Sequence, residues 1–362
     1  MVDFIKELEK CTECGKCKEI CPITRVREEP VYSPRSKSQL LKKLKNNEKL
    51  TEKEYDSIYL CTRCGICDDY CPEDIPISDI IQKEREIIAK KGEEPKKTSH
   101  IVNNIFEKYN PGGYEVSERK NWVNEELEFS DNSKIGYMAG CWISYKHPEI
   151  AQNTIKILNK AGIKPQLIDQ EKCCGLFVTD NGHVDEFEEY AKNYMGEIKS
   201  QGIEKLIVSC PSCYSQMKHE YAKQYEEPEF EVKLSVDFFN KLLKEERLTL
   251  KNDDLNLSIK DGCHGKDASE APREILEETN NGSKELSEEI ICCGAPAGVK
   301  PLYPDISDDI GMLSIEKADQ VSDEMITYCP FCLYHFEDVV ERKKEDAKPI
   351  VDLTNHLIRL IE

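Results

Sequence analysis

Apolar residues near the N-terminus recur at helical spacing, whereas beyond residue 134 they gather into short β-rich runs. From Ser38 to Leu50 the chain reads SQLLKKLKNNEKL, with leucines at 40, 41, 44 and 50, the period of an amphipathic helix. Thr51 then opens Thr-Glu-Lys-Glu, with Glu54 three residues on and Tyr55, Ile58, Tyr59 and Leu60 following, a helix-capping signature. Residues 1–92 therefore read as a mostly helical domain. From Gly92 to Lys134 the chain is polar, with Pro95, Pro111-Gly112-Gly113 and a run of acids ending near Asp131. That is linker composition, with one helix expected around His100 to Tyr109.

The remainder alternates β-rich runs (GYMAG, PQLID, KLIVS, FEVKLSV) with helical stretches at 150–160 and 184–199. Alternation of this kind predicts an α/β fold, a parallel sheet with helices on its faces. Two copies of one plan fill the segment. The first runs from KIGYMAGC at Cys141, through Cys173-Cys174-Gly175, to LIVSC-PSC with Cys210 and Cys213. The second runs from LSIKDGC at Cys263, through Cys292-Cys293-Gly294, to MITYC-PFC with Cys329 and Cys332. Both end on a short strand and helix, LSVDFFNKLLKE at 234–245 and PIVDLTNHLIRL at 349–360. Offsets of 122, 119, 119 and 115 residues between the copies mark an internal repeat. The expected domains are thus 1–92, a linker at 93–133, and repeats at 134–247 and 248–362. Most cysteine groups follow a strand or precede a helix, which gathers them at the carboxyl edge of a sheet, where α/β proteins place their sites. The repeats are expected to pack with pseudo-two-fold symmetry and their cysteines facing.

Composition narrows the chemistry. The chain has 50 basic and 70 acidic residues, a net charge of −20 and a mean hydropathy of −0.61. Residues 1–92 hold eighteen of each sign, so the acidity lies entirely in the remaining 270 residues. Such acidity argues against nucleic acid, whose phosphates call for Lys and Arg. Apolar runs such as LIVSC are strand-sized, far below the ~20 residues of a membrane span. The start, MVDFIKELEKC, lacks the basic-then-apolar plan of a signal peptide, and a cytoplasmic setting is expected. Eighteen cysteines grouped in CxxC and CC units suit metal clusters better than the long-range disulfides of small secreted domains.

Eight of them form two C-x2-C-x2-C-x3-C-P runs, at Cys11, Cys14, Cys17 and Cys21 with Pro22, and at Cys61, Cys64, Cys67 and Cys71 with Pro72. In such runs three close thiolates hold three corners of a [4Fe–4S] cubane and the fourth serves the other cluster. The expected ligand sets are Cys11, Cys14, Cys17 and Cys71 for one cluster, and Cys61, Cys64, Cys67 and Cys21 for the second. Zinc, which takes four ligands, explains neither the third CxxC step nor the trailing Cys-Pro. Gly15 and Gly65 let the backbone pass close to each cluster. Each repeat offers five thiolates, one more than a cubane or zinc takes, so each holds either an unusual cluster or a spare thiol. Glycine-rich phosphate loops are absent, so a flavin or nicotinamide belongs to a partner.

The twofold pattern C-x(n)-CCG-x(n)-C-x2-C resembles the paired CCG domains of the catalytic subunit of heterodisulfide reductase from methanogenic archaea. The N-terminal segment, including Ser33-Pro34-Arg35, is similar to that enzyme's small ferredoxin-like subunit. In this order, the whole chain resembles the D-type subunit, a fusion of the two. Related fusions serve anaerobic glycerol-3-phosphate, glycolate and lactate dehydrogenases. The resemblance implies two noncubane [4Fe–4S] clusters, one on Cys141, Cys173, Cys174, Cys210 and Cys213, the other on Cys263, Cys292, Cys293, Cys329 and Cys332. It implies cleavage of the coenzyme M–coenzyme B disulfide between them, in methanogenesis, with electrons supplied through the cubanes. It also implies a complex, with a flavoprotein, a hydrogenase or formate dehydrogenase subunit, or a membrane cytochrome b as donor, the last bringing the chain to the inner membrane face. The alternatives are an electron-transfer subunit of a flavin dehydrogenase and a cluster carrier. The family's His-Asp-Pro-Cys-His is here Lys260-Asp261-Gly262-Cys263-His264, which implies an altered pocket. His264 and His147 are candidate proton donors, and Lys146, Lys266 and Arg273 candidate partners for anionic substrate groups.

Overall fold

A computed structural model describes residues 2–279, 282–286 and 291–361. The β-rich runs of the first repeat form β1 (Ile135–Met138), β2 (Gln166–Leu167), β3 (Lys205–Val208) and β4 (Glu231–Leu234). They align in the order β2-β1-β3-β4, all parallel, with Tyr137 opposite Leu167 and Ile207. The second repeat forms β5 (Leu257–Lys260), β6 (Ser283–Glu285), β7 (Glu324–Thr327) and β8 (Ile350–Asp352), in the matching order β6-β5-β7-β8. Every residue of β5 and β7 is buried, as expected where helices cover both faces of a parallel sheet. The helices expected at 150–160 and 184–199 are Pro148–Lys160 and Val184–Ser200. The closing helices are Ser235–Lys244 and Leu353–Leu360, the latter capped by Asp352 accepting from the Thr354 N–H at 2.8 Å. The fold is therefore α/β, a helical N-terminal part followed by two similar repeats.

The chain forms two compact units that do not follow the repeat boundaries. The first comprises Met1–Val102, Leu176–Phe187 and Ile290–Leu313; the second comprises Asn103–Gly175, Glu188–Glu289 and Ser314–Glu362. Both sheets lie in the second unit. There the repeats pack reciprocally: helix Cys141–Lys146 lies on helix Pro330–Lys343, and helix Pro211–Ser215 lies on the turn Cys263–Ala268. The first-cysteine turn of each repeat thus meets the C-P-x-C turn of the other. Chemically the two contacts differ. Trp142 stacks on Phe331 at 4.7 Å, whereas Ser212 Oγ meets His264 Nδ1 at 3.4 Å.

In the first unit, Leu40, Leu41 and Leu44 join Ile58, Tyr59, Ile80, Ile81 and Ile88 in one core. The capping box at Thr51 is present: its Oγ1 accepts from the Glu54 N–H at 3.3 Å, and Glu54 accepts from the Thr51 N–H at 2.9 Å. Helix Ile77–Lys90 carries Arg85, wholly buried, whose guanidinium joins three chain segments. It donates to the carbonyls of Ile58 (2.9 Å) and Cys61 (2.6 Å), of Asp180 (3.2 Å), and of Ala297 (2.9 Å). Buried beside it, Arg63 pairs with Asp180 at 2.7 Å. The segments that follow the two CCG motifs are therefore fastened to the ferredoxin-like helices. Gly182, at φ +90°, sits so close to the Glu86 backbone that no side chain fits.

The region read as a linker is ordered. It contains helix Lys96–Lys108 and the turn Val116–Lys120, and it buries Arg119 and Trp122. Trp122 meets the Tyr137 ring edge-on at 5.8 Å. Polar composition hides this role because the buried side chains, among them Ile105 and Leu127, are thinly spread among polar ones.

Candidate metal centres

The two C-x2-C-x2-C-x3-C-P motifs fold alike. In each, the residue before the second cysteine is left-handed (Glu13 at φ +59°, Arg63 at +49°), and so is the glycine after it (Gly15 at +82°, Gly65 at +70°). Two successive left-handed corners flank Cys14 and Cys64, and a short helix follows each glycine, Lys16–Ile20 and Ile66–Asp69. The turn wraps the thiols around a hollow. Cys11, Cys14, Cys17 and Cys71 line one cavity of about 450 Å³, counted with the part open to solvent. Cys21, Cys61, Cys64 and Cys67 line another of about 390 Å³, measured the same way. Each hollow thus draws its fourth cysteine from the other motif. Among the described residues no three Cys, His, Asp or Glu side chains close to single-ion spacing. Arg35 edges the first cavity and Lys37 the second.

The CCG motifs share a second local device. Gly175 at φ +79° donates its N–H to Cys173 Sγ at 3.5 Å, and Gly294 at φ +94° does the same to Cys292 Sγ at 3.4 Å. At Gly294 a side chain would strike the Ser307 carbonyl and Ile310. Glycine is therefore required to turn the backbone back onto the sulfur.

The first five-cysteine set lies within the second unit and is drawn together there. Cys141 follows β1, Cys210 follows β3, and Cys213 sits in the first turn after it, all at the carboxyl edge. Hydrogen bonding to Cys173 and burial push the Cys141 thiol well up, while bonds from Cys141 and Cys174 push Cys173 well down. Cys213 in turn bonds Cys174 and Cys210. Gly140 lies so near that an added Cβ would be 3.2 Å from Cys213 Sγ. Tyrosines fix the backbone behind the sulfurs: Tyr190 donates to the Cys173 carbonyl at 3.0 Å and Tyr221 to the Cys174 carbonyl at 2.8 Å. Tyr221 is placed by a π-helical turn at Gln216–Glu220, a distortion often found at functional sites.

The units divide the second set. Cys263, Cys329 and Cys332 belong to the second unit, and Cys292 and Cys293 to the first. Gly262 is packed against Cys329, whose Cβ would lie 3.3 Å from an added side chain. In the first unit Cys64 is within hydrogen-bonding reach of Cys292, a contact that with burial pushes its thiol well up.

Comparison with known proteins matches three stretches of the chain. Residues 135–218 and 258–337 match the cysteine-rich (CCG) domain, and residues 7–75 match the 4Fe-4S dicluster domain. The D-type subunit of dihydromethanophenazine:CoB–CoM heterodisulfide reductase from Methanosarcina acetivorans is 29% identical, over 95% of this chain and 92% of its own. The chain is a homologue of the heterodisulfide reductase D-type subunit. One of the subunits of the fumarate reductase (CoM/CoB) of Methanothermobacter marburgensis is 24% identical over 93% of this chain and 69% of its own. The EtfAB:quinone oxidoreductase of Syntrophomonas wolfei is 25% identical over 98% of this chain and 58% of its own. These relatives are by name oxidoreductases or subunits of them, and the family matched at residues 7–75 is a 4Fe-4S domain. Among the described residues no helix of this homologue is long and apolar enough to cross a membrane.

The other sequence candidates are placed as follows. His264 lies 3.8 Å from Cys263 Sγ. His147 is buried between Glu149 (3.3 Å) and Glu337 (3.6 Å). Lys146 lies over the rings of Tyr114 and Tyr334, and Lys266 is half-buried in the turn after Cys263. Arg273 is engaged by Asp261 (2.8 Å) and Glu285 (2.6 Å), which leaves it little capacity for a substrate anion. Sequence reasoning missed Glu171, two residues before Cys173. Its carboxylate accepts the N–H groups of Ala139 (3.0 Å) and Gly140 (2.9 Å) and pairs with Arg119 at 3.1 Å. An isolated acid at that position gave no pattern that could have marked it.

Proposed function

We propose that this chain is the iron–sulfur subunit that passes electrons through two cubane [4Fe–4S] clusters to two noncubane [4Fe–4S] clusters, where a disulfide is reduced. The substrate in this reading is the coenzyme M–coenzyme B heterodisulfide. The observation that carries it is that both CCG repeats keep all five cysteines, the first set drawn together behind a single carboxylate and two tyrosines. Iron in these sites supplies one-electron reduction and a Lewis-acid position for sulfur.

Cleaving one S–S bond consumes two electrons, and two protons if both products leave as thiols. The chain's own part is to hold thiolates and exclude water. Nine of the ten CCG-region cysteines are at most 5% exposed, and Cys141 is 9% exposed, so sulfur chemistry there is shielded. The cubane on Cys11, Cys14, Cys17 and Cys71 is the outer one in this reading, since Cys14 is exposed. The cubane on Cys21, Cys61, Cys64 and Cys67 is the inner one, because Cys64 reaches Cys292. That contact supports electron entry into the second repeat. His264 is the candidate proton donor beside Cys263. The electron donor is a partner protein: a flavoprotein, a component of a hydrogenase or formate dehydrogenase, or a membrane cytochrome b.

The likeness to the EtfAB:quinone oxidoreductase favours a second reading, a relay between a flavoprotein and a quinone without disulfide chemistry. One experiment separates the two. The oxidised, anaerobically purified protein is titrated with coenzyme M thiol and followed by EPR, then supplied with heterodisulfide and a reduced dye. Disulfide reduction predicts a new paramagnetic signal and thiol release. Neither signal nor release leaves only the relay.

A further inference from the structure

Arg119 comes from the segment between the dicluster domain and the first repeat, yet it is 3% exposed. Its Nε pairs with Glu171 at 3.1 Å and its Nη1 donates to the Tyr109 carbonyl at 2.7 Å. The guanidinium carbon lies 5.8 Å from the centre of the Tyr145 ring, one helical turn after Cys141. Nη2 is buried with no well-aligned hydrogen-bond partner among the described residues, the Tyr145 hydroxyl giving the guanidinium only a weak contact. A buried, unsatisfied N–H on a charged group is costly, so the position calls for an acceptor. Glu171 does not supply it: its oxygens accept from Ala139, Gly140 and Nε, and no bond from it reaches Nη2. The carboxylate that Arg119 pairs with also accepts the N–H of Gly140, the residue before Cys141, so the guanidinium lies behind the turn that presents the first-site sulfurs. The opposite repeat offers an instructive contrast. Arg273 spends its donors on Asp261, Glu285 and the Ser269 carbonyl.

We infer that Arg119 is a positioning residue of the first site: its Nη2–H donates to a sulfur of the cluster held by Cys141, Cys173, Cys174, Cys210 and Cys213, and raises that cluster's reduction potential. Hydrogen bonds to cluster sulfur stabilise the more negative, reduced state. The inference rests on the proposal that these cysteines hold a cluster. It makes the first site the stronger electron acceptor of the pair, with Arg273 giving no equivalent bond to the second.

The test is an EPR-monitored redox titration of the whole, anaerobically purified chain, with iron and acid-labile sulfide counted in each sample. Arg119→Gln is expected to keep its iron and to shift the first-site signal to lower potential with altered g-values. Arg119→Lys, which keeps charge but lacks the planar fork, is expected to recover part of the shift, and Arg273→Gln to leave the signal where it was. An unchanged potential and spectrum in an iron-replete Arg119→Gln protein overturns the inference. If both Arg119 variants fail to fold, wild-type protein labelled with 15N-arginine decides. Hyperfine coupling from guanidinium nitrogen to the first-site signal supports the bond, and its absence overturns it. Should Cys141→Ser with Cys173→Ser change neither iron content nor spectrum, the functional reading itself fails, which is a separate result.

Discussion

The two cysteine-rich repeats have the same strand order, the same CCG turn and the same five cysteines, but different surroundings. Around the first set stand Arg119, Glu171, Tyr190 and Tyr221, with a π-helical turn after Cys213. The corresponding helix of the second repeat, Pro330–Lys343, runs as a regular α-helix, and that repeat's Arg273, in helix Glu270–Glu277, is engaged by Asp261, Glu285 and the Ser269 carbonyl. Where the repeats meet, one contact is aromatic, Trp142 on Phe331, and the other polar, His264 on Ser212. Duplication has copied the backbone that presents sulfur, while the neighbours that tune it have diverged. An asymmetric pair of sites suits a reaction in which two halves of a substrate part company.

The largest expected effect tests whether both sites are needed. Cys173→Ser with Cys174→Ser, and separately Cys292→Ser with Cys293→Ser, should each remove about a quarter of the iron, one cluster in four. Each should abolish heterodisulfide cleavage while dye still reduces the cubanes. Full turnover by either double variant would make one site dispensable.

Next comes the residue that serves both repeats alike. Replacing Arg85 with Met strips donors from buried carbonyls at Cys61, Asp180 and Ala297, and should cost about 3–5 kcal/mol in anaerobic unfolding. Loss of iron from the Cys61 site should accompany it. A shift below about 1 kcal/mol would mean these segments are held by something else.

Glu84 provides a pH-dependent test that should leave the two sites equally unaffected. It is fully buried in the first unit; its oxygens lack a well-aligned partner, and the Leu41 backbone N–H gives only weak relief. Burial raises its carboxyl well above the ordinary value. The folded chain therefore keeps a proton that the unfolded chain releases near pH 4. This group's contribution is greatest below that point and falls as pH rises toward the folded value. Glu84→Gln should accordingly gain about 1–3 kcal/mol over wild type at pH 8 and nothing at pH 4, read by thermal melts across that range. Equal melts at both ends would contradict the assignment.

Smallest of all, Tyr221→Phe removes one bond to the Cys174 carbonyl and should cost about 1 kcal/mol. Its mark should be a changed first-site EPR signal with an unchanged second. Changes in both signals would show that the sites are coupled more tightly than their separate surroundings imply.

Much of this was legible from the chain. Period and spacing gave the strands at GYMAG and KLIVS, the helices at 150–160 and 184–199, and the capping box at Thr51, because each is decided by neighbours in sequence. The exchanged fourth cysteines, Cys21 and Cys71, were legible from motif chemistry, and the two cavities group the thiols in that way. What escaped depends on residues distant in sequence. Arg85 gathers carbonyls from three segments, and Arg119 reaches Glu171 from fifty-two positions away. No local pattern marks such residues, since an arginine in a polar stretch reads as solvated until the backbone folds around it. The division of the second set between two compact units was hidden for the same reason.

The central claim is that the ten CCG-region cysteines hold two clusters in addition to the two cubanes. Counting iron and acid-labile sulfide per chain, in protein purified without oxygen from its native host, tests it most directly. Four four-iron clusters predict about sixteen of each per chain. About eight, all lost when the motif cysteines between Cys11 and Cys71 are replaced, would contradict it.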